Sequence, residues 1–296
     1  MEFSPKVSQK FLNLFRHLDT QCCEAGTSHL NLFVLDIRSN RFIYEALVSE
    51  LYDVIITYAL SNTRLKEYQG TYGGKAFVEA REKLRKYSQN DGELGEILLY
   101  SFLETHLKAP KLLSKLEIKT SSNDYVKGAD GVHLLSLPDA QHKILFGESK
   151  MRPKLLDGVS DAFRSIKKFS SEKLNFETTL VDSQLLKEAV TDEEYFFLKS
   201  ILLPSESDQL IDVDYAFALF IGYNVEISES EIKLPNDKFR SLVYEKVSSE
   251  VFESFTNIQA AIERHELYGY DFHVYVVPFT KLDETRQLLI KRLAEA

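Results

Sequence analysis

Gly92-Glu93-Leu94-Gly95-Glu96, Gly128-Ala129-Asp130-Gly131-Val132-His133-Leu134-Leu135 and Ile144-Leu145-Phe146-Gly147-Glu148-Ser149-Lys150-Met151 are the three pieces of one stretch that decide this chain's fold. The last is an apolar run of strand length that ends in Glu-Ser-Lys. Val132 to Leu135 is a second such run, and Pro138-Asp139 between them supplies a turn, so the two read as a hairpin. From 93 to 107, Leu94, Ile97, Leu98, Phe102 and Leu103 make one apolar helical stripe. Asn90-Asp91-Gly92 breaks the chain before that helix, and Asp91 can cap it.

Strand side chains alternate faces, so Glu148 and Lys150 point one way and Ser149 the other. Asp130 can face Glu148 across the ladder. Two acids and an amine converging from separate segments suit phosphodiester hydrolysis. A divalent cation on the acids polarises the phosphoryl oxygen and lowers the pKa of the attacking water. The ammonium orients that water or stabilises charge on the phosphate. Mg2+ (or Mn2+) prefers oxygen ligands and keeps several waters, so a few carboxylates suffice. The helix opening at Gly92 can supply a third, from Glu93 or Glu96. Each group also has a purely structural reading: Asp130 as a turn acid, Glu148 and Lys150 as an exposed pair at a strand end, Glu93 and Glu96 as partners of the helix dipole.

The 296 residues, 44% hydrophobic and 27% charged, suit a globular protein with an ample core. No run approaches eighteen uncharged apolar residues, and the start, Met1-Glu2-Phe3-Ser4, lacks the basic and apolar regions of a leader. A cytoplasmic protein with no membrane segment is expected. The two cysteines, Cys22 and Cys23, are adjacent; a bridge between them would close no useful loop, which fits a reducing compartment and leaves no cysteine-based metal site. A net charge of −9 argues against a generic nucleic-acid binder. Its distribution argues the other way. Residues 108–173 hold thirteen Lys/Arg against eight Asp/Glu, whereas 177–233 hold three against thirteen. The candidate site therefore lies in a basic tract of an acidic protein, unless the unevenness is only that of a solvated surface.

Around this centre, Leu30 to Ile37 reads as a strand and Phe42 to Leu60 as a helix stopped at Ser61-Asn62. Tyr68 to Lys75 is Gly-rich but matches no phosphate loop and reads as a turn. Phe77 to Tyr87 reads as a charged helix, and Leu112 to Thr120, alternating apolar and charged from Leu116 onward, as a half-exposed strand. After Pro153, a helix over 155–171 carries Asp157, Asp161, Arg164 and Lys168 on one face. An acidic helix over 182–202, an apolar strand over 215–223, a helix over 237–265, a strand over 271–279 and a terminal helix over 282–293 follow. His265 and His273 lack ligand spacing.

An acidic helix, then Asp on one strand, then Glu-x-Lys on the next resembles the site of restriction-endonuclease-like, PD-(D/E)xK nucleases. The resemblance implies an α/β fold: a mixed central sheet flanked by helices in a nuclease domain over 91–296, with 1–90 as an N-terminal α/β lobe suited to partner docking. The first helix of such enzymes often carries Gly-x-x-x-Glu, which Gly92 to Glu96 matches, favouring Glu96 over Glu93. The helix after the Glu-x-Lys strand flanks the site, so Lys127, Arg152, Arg164 and Lys168 are candidates for DNA contact. For Arg164 and Lys168 a plain solvent face is the alternative.

More narrowly, Gly-Glu-Leu-Gly-Glu at 92–96, Lys-Gly-Ala-Asp-Gly at 127–131 and Gly-Glu-Ser-Lys at 147–150, in a chain near three hundred residues, resemble the HamA family over most of its length. HamA is the effector of the Hachiman anti-phage system. The resemblance implies a metal-dependent DNase restrained by a partner superfamily-2 helicase. Asp130, Glu148 and Glu96 would be metal ligands and catalytic acids, with Lys150 the catalytic amine. Residues 177–233 and the N-terminal lobe are the expected helicase-docking surfaces. The competing reading is a nuclease-like module without activity that recruits or regulates a helicase.

Overall fold

A computed structural model describes residues 3–22, 28–69, 74–87, 92–114, 129–138, 141–171, 190–202 and 213–295. Lys127, Cys23, Asp91, the centre of the Gly-rich turn and residues 115–120 of the strand expected over 112–120 lie outside them; its start, 112–114, falls in a strand that is buried and not half-exposed. The strands are β1 Phe15–Cys22, β2 Ser28–Leu35, β3 Ile37–Arg38, β4 Arg41–Phe42, β5 Lys111–Ser114, β6 Gly131–Ser136, β7 His142–Arg152, β8 Val213–Asn224 and β9 Asp271–Phe279. The helices are α1 Gln9–Leu12, α2 Tyr44–Ala59, α3 Asn62–Glu67, α4 Gly74–Tyr87, α5 Glu93–Phe102, α6 Leu155–Ser171, α7 Asp192–Leu202, α8 Glu229–Ile232, α9 Asn236–Arg264 and α10 Leu282–Glu295.

Seven strands form one mixed sheet in the order β1-β2-β9-β8-β7-β6-β5, and β3 pairs with β4 apart from it. From β2 through β9 and β8 to β7 all neighbours are parallel, while β1, β6 and β5 pair antiparallel. Parallel neighbours need a crossover, and α6 and α9 lie in the β7–β8 and β8–β9 connections. These two helices pack on each other over one face. The other face carries α5, against which α2 and α10 pack. The alternation of β7 makes the division visible. Phe146 packs tilted against Phe169 of α6, with ring centroids 4.8 Å apart, whereas a methyl at Gly95 of α5 would meet Ser149 at 3.2 Å and Met151 at 3.3 Å. Even-numbered residues of β7 thus face α6 and odd-numbered ones face α5.

The described residues of 1–90 form both strands and helices, and their strands continue the sheet of the later residues. β2 pairs with β9, from Ser28 opposite Phe272 to Leu32 opposite Val276. Leu30 to Leu35 except Asn31 are buried apolar residues, and a strand buried on both faces is stable only between neighbours and under helices. Phe33 reaches Phe102 of α5 (4.9 Å between centroids), which stacks on Tyr275 of β9 (5.3 Å). The N-terminal strands therefore share the core of the sheet.

Two elements differ from their expected extents. The helix over 93–107 is α-helical to Phe102 and widens into a π-helical turn over Leu103–Leu107, ended by Lys108 at φ 58°. The acidic helix begins at Asp192, where Thr191 and Glu194 bond reciprocally, Thr191 N to Glu194 Oε2 at 2.8 Å and Glu194 N to Thr191 Oγ1 at 3.4 Å. Such a pair satisfies the orphan donors of a helix start. The part expected over 182–189 lies outside the described residues. Among the described residues no helix is long and apolar enough to cross a membrane.

Candidate active site

Gly131 pairs with Gly147, and the amide of Asp130 donates to Gly147 O at 2.8 Å, so the hairpin register sets Asp130 opposite Glu148. Both carboxylates are buried. Asp130 turns toward the next residue of β7: its Oδ2 accepts from Ser149 N at 2.8 Å and from Ser149 Oγ at 2.9 Å. Glu148 lies on the α6 side, accepting from Lys150 Nζ, with the Ser165 side chain lining the same crevice. Burial, with the negative charge of Asp130 added, pushes the Glu148 carboxyl up to about 7; Lys150 and Ser165 oppose the shift only in part. Lys150 is the more open partner, its side chain 22% exposed against 7% for Glu148.

Glu96 is on the other side. Its Oε2 accepts from the buried Tyr58 hydroxyl at 3.0 Å. Glu96 and Asp130 line one crevice with Tyr58, Tyr100, Lys111 and His133. Burial first, then the charges of Glu96 and Asp130, hold the Tyr58 phenol protonated well above its ordinary range. A second crevice, under α6, is lined by Glu148 and Ser165. Each encloses about 10 Å³, room for about one water. Asp130, at the strand entry just before β6, thus lines the α5-side crevice with Glu96, while its charge reaches Glu148, which lines the α6-side crevice.

Among the described residues no three His, Cys, Asp or Glu side chains gather as a ready cation cluster. A hard dication that keeps most of its waters is served by one or two carboxylates. Asp130 and Glu148 offer oxygen ligands, and their mutual repulsion is the kind of cost a bound cation removes. The donor set therefore fits Mg2+ or Mn2+.

The basic candidates flank Lys150. Arg152 Nε donates to Asp161 Oδ2 at 2.8 Å, and Arg164 Nη1 donates to Asp161 Oδ1 at 3.0 Å. Lys168 is exposed one turn beyond Arg164. Lys127 lies outside the described residues. Ser149 and Tyr58, which hold Asp130 and Glu96, and Ser165, which lies beside Glu148, carry no signal of their own in the sequence; only Ser149, inside Glu-x-Lys, stands near a recognisable motif. A cavity of about 630 Å³ at the carboxyl ends of β7, β8 and β9, lined by Pro153, Asn224 and Thr280, includes none of the four candidate catalytic residues, so the site is located by its chemistry and not by the size of a hollow.

The HamA family model matches residues 10–293 of the chain. No curated protein matches it.

Proposed function

The chain belongs to the HamA family of the Hachiman anti-phage defence system, and from that membership together with the site geometry we propose that it is a nuclease effector. It hydrolyses DNA phosphodiester bonds with Mg2+ or Mn2+, in the cytoplasm, under the control of a partner helicase. The observation that carries this reading is the placing of Glu148 and Lys150 on one face of β7 with Asp130 opposite, all three held by specific bonds.

When bound, the cation supplies Lewis-acid polarisation of the phosphoryl oxygen and a lowered pKa for the attacking water. Asp130 and Glu148 would hold it, and Glu96 would support Asp130 from the shared crevice. Ser149 keeps Asp130 in one orientation through two bonds to a single oxygen. Lys150 holds Glu148 through one bond, with Ser165 beside it. The Lys150 ammonium, on the solvent side of Glu148, orients the nucleophilic water and stabilises charge developing on the phosphoryl oxygens. Lys127, Arg152, Arg164 and Lys168 take the neighbouring phosphates, which positions the strand without reading its sequence.

The second reading, a nuclease-like module that regulates a helicase without cutting, has one observation in its favour: both acid-lined crevices are small. The two separate on purified protein given plasmid DNA with Mg2+ or Mn2+. Nicking by the wild type, abolished by EDTA and by Glu148→Ala and Lys150→Ala, is expected. Equal nicking by Lys150→Ala would overturn the role given to that amine. Intact plasmid with every metal, in the presence and absence of the helicase, would leave the module.

A further inference from the structure

The α6 helix is tied to the end of β7 through Asp161. Asp161 and Ser165, four apart and so on one helix face, both face this strand: Asp161 bonds Arg152, and Ser165 lines a crevice with Glu148. Arg164, one position before Ser165, bonds Asp161 as well. An acid in a surface intended for DNA is at first sight a defect, since it repels phosphate. Asp161 differs from a stray acid in how it is used. Its two oxygens each take one guanidinium, from two different elements, and its side chain is only 26% exposed while Arg152 and Arg164 are 48% and 72% exposed. A guanidinium has five N–H donors in a fixed fork, and each arginine uses one of them on Asp161. The remainder stay on the solvent side, beside Lys150, whose charge Asp161 also senses.

We infer that Asp161 is a positioning residue: it locks Arg152 and Arg164 side by side as a two-arginine clamp for a backbone phosphate next to the one at Lys150. This rests on the nuclease reading of the site. Two long side chains held in place lose less freedom on meeting phosphate than two free ones, and a planar fork fixed at one edge presents its other edge for bidentate contact. The acid lowers the local charge and in return fixes the geometry.

The sign of one substitution tests it. In EDTA, where no cleavage occurs, a fluorescent DNA duplex is titrated with wild type, Asp161→Asn, Asp161→Glu and Arg152→Ala/Arg164→Ala. Charge alone predicts tighter binding by Asp161→Asn. The clamp predicts weaker binding, by about three- to tenfold, with the slope of log K against log salt shallower by about one to two as phosphate contacts are lost, and partial rescue by Asp161→Glu. Adding Asp161→Asn to the double-alanine protein should cost nothing more. Unchanged or tighter binding by Asp161→Asn, with wild type binding normally, overturns the clamp and leaves the nuclease standing. No binding by the wild type overturns both.

Discussion

Ser149 gives two hydrogen bonds, from its amide and its hydroxyl, to the same oxygen of Asp130, at 2.8 and 2.9 Å. The middle residue of Glu-x-Lys is thus the one that holds the acid of the neighbouring strand. Ser149→Ala keeps the amide bond and removes the hydroxyl bond, leaving Asp130 one partner fewer in a buried setting. DNA cleavage by Ser149→Ala should fall about tenfold, and the loss should shrink at high Mg2+ if the misplaced carboxylate is what weakens the cation. Wild-type activity in this variant would show that the second bond is dispensable.

Glu148 carries a folded pKa raised to about 7, by burial first and by Asp130 second. A raised folded pKa contributes stability in full below the unfolded value of 4.5, and that contribution is lost as pH rises through about 7. Without divalent cation, Glu148→Gln should therefore melt higher than wild type at pH 8, with the gap closing toward pH 5. A wild type that melts higher at pH 8 would show that the Lys150 pair outweighs the burial.

Metal should reverse that order. Binding to the folded chain alone stabilises it by mass action, so millimolar Mg2+ or Mn2+ should raise the wild-type melting temperature by a few degrees, on the order of 2–4 °C per kcal/mol. EDTA should cancel the rise, and neither Glu148→Gln nor Asp130→Asn should show it. An equal rise in both variants would place the cation elsewhere.

His133 and His273 are buried and held near 4, by desolvation in both cases. Their folded pKa is depressed, so the stability they contribute is present above about 6.5 and lost as pH falls through about 4. Each should cost about 1.4 kcal/mol per pH unit within that window. Urea unfolding at pH 7 and pH 5 measures it, and His133→Asn, which can still donate toward Ala109 O, should flatten the profile by one such increment.

Gly158 brings α6 against β8 so closely that a methyl there would sit 2.9 Å from Ile221 Cγ2. Alanine gains about 1 kcal/mol of helix propensity, but Ile is stiff at χ1 and overpacking costs about 1–3 kcal/mol. Gly158→Ala should be net destabilising, and because α6 carries Ser165 and Asp161 its cleavage rate should drop as well. A more stable Gly158→Ala would mean that the helix shifts freely over the sheet.

The strands at 131–136 and 142–152, the helix over 155–171 and the long helix ending at Arg264 were all legible from apolar periodicity, because local backbone preference and the buried face of each segment agree. The Asp, Glu and Lys were legible for a related reason: acids and an amine beside an apolar strand are too costly to bury without partners. Their grouping was only half legible. Residue alternation tells that Glu148 and Lys150 share a face, but which helix covers that face depends on docking between segments far apart in the chain, and α5 covers the other one. The pairing of β2 with β9, some 240 residues away, is invisible locally because both runs are simply apolar. Asp161 looked like one charge among several on a polar stripe; the use of its two oxygens follows from the end of β7 lying under that turn of α6. Sequence settles which segments must be buried and which groups need partners, while the partners themselves are chosen by the packing of α5 and α6 on opposite faces of one sheet.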